Sequence, residues 1–247
     1  HLDHAGAAWR FCELGVPVHV HSFGVRHLVD PSRLVASATR IYGDDMDRLW
    51  GRIEPCPEHL VNGAEDGTIV SAAGLSFRAV ETPGHATHHH AWSLEHEDAA
   101  TCFTGDAAAM LLPDSDWISI PMPPPEFDLD LWHASLDRLE GGQWTRLCLT
   151  HGGERVGRES IARHLAALRK DLDTQVRTIR QLRESCPETS LTGIRDHLLP
   201  AYRDWLSTTA EAAGVPAEQF GRYVTPGLLG MNLMGVCRYL DQQRPLA

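Results

Sequence analysis

Four short motifs in this sequence contain side chains of the kinds that bind metal ions. The chain begins with HLDH, which supplies His1, Asp3 and His4. Three apolar runs further along, FRAVETPGH, TCFTGD and RLCLTHGG, each end in a turn followed by a histidine or an aspartate, namely His85, Asp106 and His151. Strands that run in the same direction bring their ends to one edge of a sheet, and glycines let the backbone approach closely there. We therefore expect all six side chains to meet at one edge.

Imidazole nitrogens and carboxylate oxygens are ligands that zinc and similar divalent ions accept. A tetrahedral zinc ion takes about four ligands, so a set of six predicts two ions that share one ligand. The sequence also contains 15 histidines, and because histidine is the commonest metal ligand this excess favours a metal site. We expect two divalent ions, zinc first, with manganese or iron as the alternatives.

The first part of the chain is predicted to alternate helices and strands. AGAAWRFCELG is typical of a short helix that ends before Gly15, and VPVHVHS is typical of a half-buried strand. DPSRLVASATRIYG predicts a helix that is capped by Asp30 or Ser32 and ends near Gly43. From Asp66 onward, paired apolar runs separated by turn residues predict β-hairpins, the second with its turn at residues 95–98.

The last third of the chain is predicted to be helical. Apolar residues recur every three or four positions from Ile161 to Leu182, which indicates one buried face of a long helix. Further helices are expected within residues 192–210 and 227–243. We predict an α/β metal-binding domain at residues 1–155 and a helical extension at residues 156–247 packed on it. The last, apolar helix is interpreted as core of this extension, as a cap over the site or as a dimer contact.

The composition is that of an ordinary globular protein. Hydrophobic residues make up 43% and charged residues 22% of the 247 residues, so a packed core is expected. The net charge of −11 argues against nucleic acid or an anionic membrane as the partner, which leaves a small-molecule substrate and a homodimer as the expected partners. Six scattered cysteines without a C-x-x-C pair, no signal peptide and no membrane-length apolar run favour a cytoplasmic protein with reduced thiols.

The ordered motifs resemble those of the metallo-β-lactamase superfamily. Its first motif is His-x-His-x-Asp-His, and its later ligands are a histidine, a bridging aspartate and a final histidine. HLDH matches the last four positions of that motif, and TPGHA, FTGDA and LTHGG carry the later ligands. The resemblance covers residues 1–155 and implies a four-layer αββα sandwich with the metal site at one edge. Family members have several strands before the first motif, so it also implies an N-terminally truncated sequence that lacks those strands and one histidine.

The resemblance further implies a ligand set and an activity. One ion would be held by the missing histidine together with His1, His85 and Asp106, and the other by Asp3, His4, Asp106 and His151. A hydroxide shared by the ions would attack an ester, lactone or thioester, with Asp3 orienting it and taking its proton and Asp106 bridging the ions. A metal-dependent hydrolase is therefore expected. The alternatives are a mononuclear-iron oxygenase that acts on a persulfide and a non-catalytic binding member of the fold.

Three further sets of residues can be interpreted from the sequence. Consecutive strand residues face opposite sides, so at most some of His88, His89 and His90 can approach the site. They are expected either to support the ligands or to be purely structural. The histidines of the helical segments are expected to be solvated: His133, His164 and His197. The long apolar segment 107–128 is rich in proline and is either a wall of a substrate pocket or a strap packed on the sheet.

Overall fold

A computed structural model describes residues 1–96 and 99–243, apart from the side chains of residues 41 and 42. The helices are α1 (Leu2–Ala5), α2 (Ala8–Glu13), α3 (Val25–Val29), α4 (Ser32–Tyr42), α5 (Met46–Trp50), α6 (Leu129–Gly141), α7 (Arg158–Glu184), α8 (Leu191–Ala212), α9 (Ala217–Tyr223) and α10 (Pro226–Gln242). The strands are β1 (Val18–His21), β2 (Val61–Ala64), β3 (Ile69–Ala72), β4 (Leu75–Glu81), β5 (His90–His96), β6 (Ala99–Phe103), β7 (Met110–Leu111), β8 (Ile118–Ser119), β9 (Arg146–Cys148) and β10 (Glu154–Val156). The turn predicted at residues 95–98 falls partly on residues 97 and 98, which lie outside the described residues.

A six-stranded sheet of order β10-β9-β6-β5-β4-β3 forms the centre of the fold. β4 is antiparallel to β5, β5 is antiparallel to β6, and β6 is parallel to β9. β4, β6 and β9 therefore run in the same direction and end at the same edge of the sheet. β1 and β2 form a separate parallel pair, and β7 and β8 form a short antiparallel pair. The architecture is the mixed α/β type predicted from the sequence.

The hairpin of β3 and β4 shows how local sequence sets the register. Its two central turn residues, Ala73 and Gly74, have φ values of +51° and +79°. Positive φ at both positions is the geometry of a type I′ turn, whose twist matches that of paired strands. Phe77 consequently faces Val70 across the hairpin. The predicted hairpin is confirmed.

The predicted helix at residues 30–43 is also confirmed. α4 begins at Ser32 and ends before Gly43, which has a φ of +54°. Of the two cap candidates, Asp30 makes the contact, since its Oδ1 accepts a hydrogen bond from the Ser32 N–H at 3.1 Å. This carboxylate satisfies a backbone donor just ahead of the helix.

One hydrophobic core joins the sheet to the C-terminal helices. It includes Leu147 on β9, Leu136 on α6, Leu168 on α7 and Leu233 on α10, all with 0% exposure. The apolar face predicted along α7 is the one that enters this core. On α10 an added Cβ at Gly235 would lie 2.0 Å from the Met122 carbonyl oxygen, so the absence of a side chain lets the helix pack this closely. The domain boundary at residue 155 stays a prediction.

Segment 107–128 is a strap packed on this core. Its apolar side chains belong to the core: Leu111, Leu112, Trp117, Ile118, Ile120, Met122 and Phe127. Asn232 on α10 ties the strap down, because its Oδ1 accepts from the Met122 N–H and its Nδ2 donates to the Ile120 carbonyl, both at 2.8 Å. The structure thus favours the second of the two interpretations of this segment.

The expectation that helix histidines are solvated is wrong for His164. It is 4% exposed, and its Nε2–H donates to the Ala108 carbonyl at 2.9 Å. The reason is positional: residue 164 follows Ile161 by three positions on α7 and shares its buried face. His133 is half-buried between Asp173 and Arg169, whereas His197 is exposed as expected. Among the described residues, no helix is both long and apolar enough to cross a bilayer.

Candidate metal centre

Three strand ends deliver the central side chains of the site. His85 follows β4, Asp106 follows β6 and His151 follows β9, all at the edge where these parallel-running strands end. Two glycines permit the approach. Gly84 has a φ of +132° and a Cβ there would lie 2.4 Å from Trp132, while Gly105 has a φ of +55° and a Cβ there would lie 2.4 Å from the His89 ring. Only glycine fits both positions without displacing a neighbour.

The six predicted side chains form two groups that share one residue. Asp3, His4, Asp106 and His151 offer ligand atoms that all lie within 4.8 Å of one another, and so do His1, His85 and Asp106. Two atoms bound to one zinc ion, each about 2.1 Å away, can lie at most about 4.2 Å apart. The groups are therefore close to the spacing that an ion requires, and Asp106 belongs to both. Their role as ligands stays a prediction.

Asp106 lies at the centre of the site. Its Oδ2 is 2.9 Å from His4 Nε2 and 3.1 Å from His85 Nε2, and its Oδ1 is 3.5 Å from His151 Nε2. Burial raises the pKa of this carboxyl, but the hydrogen bond with His4 and the charges of His85 and His4 outweigh burial and hold the pKa well below its ordinary value. The group is thus a carboxylate at neutral pH.

The donor set fits a pair of divalent ions. Asp106 is 3% exposed, and its buried Oδ1 has no hydrogen-bond partner among the described residues. Buried polar atoms nearly always have a partner, and a carboxylate oxygen aimed at imidazole nitrogens is a typical metal ligand. The cysteine that precedes it on β6, Cys102, is fully buried, and burial raises the pKa of its thiol to about 12. Nitrogen and oxygen donors therefore make up the site.

The outer side of the site opens to solvent. Asp3 and His151 are more exposed than Asp106 and lie 3.4 Å apart between Oδ2 and Nε2. A hydrogen bond with Asp3 is the main reason why the pKa of His151 is raised. Burial raises the pKa of Asp3, but the hydrogen bond with His151 and the charge of His4 bring it below its usual value. Asp3 is thus a carboxylate on the accessible side of the cluster.

Two contacts orient the inner ligands. His85 is 4% exposed and its Nδ1–H donates to the Pro121 carbonyl at 2.9 Å, which directs Nε2 towards Asp106. His89 Nε2 accepts from the Asp106 N–H at 3.0 Å, so Nδ1 carries the ring proton and donates to Thr82 Oγ1 at 2.7 Å. Burial, together with the charge of His85, lowers the pKa of His89 to about 3. Such contacts behind the ligands fix their tautomers and orientations.

The sequence-based interpretation of His88–His90 agrees with the position of His89, which contacts the backbone of Asp106, a predicted ligand. That interpretation did not predict that the three side chains contact three different parts of the protein. His88 Nδ1–H donates to Glu126 Oε2 at 3.1 Å, and this hydrogen bond is the main reason why the pKa of Glu126 falls to about 2. His90 instead lies beside His21, at 4.5 Å between ring centroids. The run of three histidines after a predicted ligand was the only local signal for these roles.

Comparison with known proteins gives short sequence matches. No protein-family model matches the chain. It is 47% identical over 51 residues to a lactamase-like protein of Arthroderma otae, which is 21% of this chain and 14% of that protein. It is 39% identical over 62 residues to an atrochrysone carboxyl ACP thioesterase of Paecilomyces divaricatus, which is 25% of this chain and 19% of that protein. The aligned part therefore spans less than a fifth of either relative.

Solved structures match over much more of the chain. A metallo-β-lactamase family protein from Thermus thermophilus has a TM-score of 0.63 at 19% identity, over 96% of this chain and 70% of that one. A metallo-β-lactamase superfamily protein from Sulfolobus tokodaii has a TM-score of 0.55 at 24% identity, over 66% of this chain and 62% of that one. The chain has the metallo-β-lactamase fold.

The metallo-β-lactamase fold includes the C-terminal helices of this chain in some of these matches. A β-lactamase domain protein from Burkholderia ambifaria aligns over 98% of this chain and 66% of its own, with a TM-score of 0.56 and 22% identity. Alignments of this extent take in α7 to α10. The fold implied by the four motifs is confirmed, and in solved members of the metallo-β-lactamase fold it extends beyond the part of the chain that carries the motifs.

Proposed function

We propose that the protein is a hydrolase with a dinuclear metal centre that cleaves an ester, lactone or thioester. The observation that carries the proposal is Asp106, a buried carboxylate that belongs to both ligand groups and whose Oδ1 has no hydrogen-bond partner among the described residues. When bound, two divalent ions supply a water of lowered pKa and a Lewis acid for the carbonyl oxygen. Zinc is the first choice for this set of nitrogen and oxygen donors.

The chain's own residues have distinct roles in this proposal. Asp106 would hold both ions. His1 and His85 would belong to the inner ion, and Asp3, His4 and His151 to the outer one. Asp3 lies on the accessible side, 3.4 Å from His151 Nε2, and is ionised at neutral pH. It therefore orients the attacking water and accepts its proton.

The thioester is the substrate class that we place first. One curated relative is named an atrochrysone carboxyl ACP thioesterase, and it is 39% identical over 62 residues. The other is named a lactamase-like protein, and thioesterases and lactamases both hydrolyse a bond to an acyl carbon. The net charge of −11 supports a small-molecule substrate and opposes nucleic acid and membranes as partners. We propose a homodimer and a cytoplasmic location on sequence grounds alone.

Asp106→Asn tests the proposal, because the amide keeps the size of the side chain but loses the charge shared between two ions. We expect hydrolysis of thioester, ester and lactone substrates to fall by more than about 100-fold, since even residues that only support metal ligands cost 10–100-fold. Asp114→Asn is the matched control, because Asp114 is exposed. Equal hydrolysis by the two variants at equal metal content would overturn the proposal.

One observation favours a second candidate. His1, His85 and Asp106 form a group of two histidines and one carboxylate, which is the ligand set of non-haem iron oxygenases. A mononuclear-iron oxygenase acting on a persulfide is therefore the alternative. Metal analysis separates the two candidates. Two zinc or manganese ions in the Asp106 centre support hydrolysis, and a single iron with oxygen uptake supports the oxygenase.

A further inference from the structure

A second group of potential ligands lies outside the candidate metal centre. His21, Glu81 and His90 offer ligand atoms that all lie within 4.8 Å of one another. Glu81 is the last residue of β4 and His90 the first of β5, and they are paired directly across the six-stranded sheet. His21 is the last residue of β1, in the separate two-stranded sheet. We call these three residues the cross-sheet cluster.

The geometry of the cross-sheet cluster suits a small cation. His21 Nε2 and Glu81 Oε1 are 3.7 Å apart, close to the separation of about 3.4 Å between two ligands of a tetrahedral zinc ion with bonds of about 2.1 Å. The rings of His21 and His90 have centroids 4.5 Å apart and planes inclined at 45°. All three side chains start from strand ends, and sites that are built on strands are held more precisely than sites on loops.

The His90 ring packs edge-on against Trp92, with centroids 6.1 Å apart, and leaves its nitrogens free for another contact within the described part of the chain. Both of its ring nitrogens are buried and lack a hydrogen-bond partner among the described residues. Buried polar atoms without partners are rare in folded proteins. The two ring nitrogens of His90 are therefore candidates to bind a ligand. Glu81 Oε1, 3.7 Å from His21 Nε2, brings a negative charge that attracts a cation to the same place.

His21 has a competing contact that binding would displace. Its Nδ1 accepts from the Phe23 N–H at 3.1 Å, so its ring proton is on Nε2. Coordination through Nε2 moves this proton to Nδ1 and breaks the hydrogen bond. Phe23 is 42% exposed, so water can take over its N–H.

We propose that the cross-sheet cluster binds one further divalent transition-metal ion, Zn²⁺ by preference, which links the two sheets. Two imidazoles and one carboxylate leave a fourth, tetrahedral position for water. The site shares no residue with the candidate metal centre, and the His88 ring centroid lies 6.3 Å from those of both His1 and His21. The ion stabilises the packing of β1 against β4 and β5, beside the candidate metal centre.

Zinc content per chain tests this site. The full chain is stripped with a chelator, dialysed against buffered free Zn²⁺ and measured by inductively coupled plasma mass spectrometry. We expect Glu81→Gln and His90→Ala each to hold one ion fewer than the wild-type protein. The matched controls Glu95→Gln and His96→Ala change exposed residues of the same types on β5 and are expected to hold the wild-type number. Equal zinc content in Glu81→Gln and Glu95→Gln overturns the proposal.

A second measurement separates this site from the Asp106 centre and from simple loss of folding. In the Asp106→Asn protein the ion of the cross-sheet cluster remains, so added Zn²⁺ still raises the midpoint of thermal unfolding. In the double variant Asp106→Asn/Glu81→Gln we expect that rise to disappear, while Asp106→Asn/Glu95→Gln keeps it. Circular dichroism establishes that each stripped variant is folded. An identical response of both double variants to zinc counts against the site.

Discussion

His89→Leu tests whether the support behind Asp106 controls metal binding. The His89 ring accepts from the Asp106 N–H at 3.0 Å and donates to Thr82 Oγ1 at 2.7 Å. Leucine fills much of the same space but makes neither hydrogen bond. A buried donor left without a partner costs about 1–3 kcal/mol, and Thr82 is fully buried, so its hydroxyl adds a similar cost. We therefore expect the free energy of unfolding of the metal-free protein to fall by about 2–6 kcal/mol.

The same substitution is expected to weaken metal binding. Residues that orient metal ligands affect affinity by about 10–100-fold, which corresponds to about 1.4–2.7 kcal/mol. Competition with a chromophoric chelator measures this loss, and denaturant unfolding measures stability. His89→Gln is expected to recover part of both, because its amide can accept at Asp106 and donate at Thr82. His96→Leu, at an exposed position on β5, is the control.

One result would refute this reasoning. If folded His89→Leu competes for zinc as well as the His96→Leu control does, the hydrogen bond to the Asp106 backbone does not position the ligand. A loss that His89→Gln fails to recover in any part points instead to packing of the ring against Gly105, where an added Cβ would lie 2.4 Å from His89 Nε2.

Two further predictions concern the scaffold. Gly84→Ala places a Cβ 2.4 Å from Trp132 at a φ of +132°, so overpacking and backbone strain together predict a loss of about 3 kcal/mol or more in the free energy of unfolding. The control Gly67→Ala has open space at a φ of +76° and is expected to lose only about 1 kcal/mol. Similar losses in both variants would contradict the close contact at Gly84. Burial lowers the pKa of His164 in the folded protein, so the unfolded chain binds the proton first as pH falls below about 6.5, and the free energy of unfolding falls by up to about 1.4 kcal/mol per pH unit until the lower folded-state pKa is reached. Denaturant unfolding from pH 7.5 to 5 is expected to show a shallower loss of stability in His164→Gln than in the wild-type protein. Parallel stability profiles of the two proteins would contradict this role of His164.

Much of the fold and of the candidate site could be predicted from local sequence. The turn at Ala73 and Gly74, the buried face of α7 and the three strand ends followed by His85, Asp106 and His151 each depend on residues within a few positions of one another. A glycine that allows positive φ or an apolar repeat every three to four residues acts over one turn of the chain. Such features are visible without knowing what lies across the core.

The remaining features depend on contacts between distant residues. His164 is buried because α7 packs against the Ala108 carbonyl, 56 positions earlier in the chain. Segment 107–128 is a strap because Asn232, more than 100 positions away, accepts and donates to it. A histidine or an apolar side chain can be placed at the surface or in the core. The periodicity of a segment does not predict which distant residues pack against it.

The sequence by itself determined which types of metal-binding side chain follow the strand ends, namely histidines and an aspartate in tight, glycine-containing turns. Only the tertiary structure decided how those side chains divide into groups, that Asp106 is shared between them, and that His21, Glu81 and His90 meet across two sheets. The physical reason is that ligand type is a property of single residues. Ligand geometry depends on strand pairing and on sheet packing, which bring together atoms that are remote in the chain.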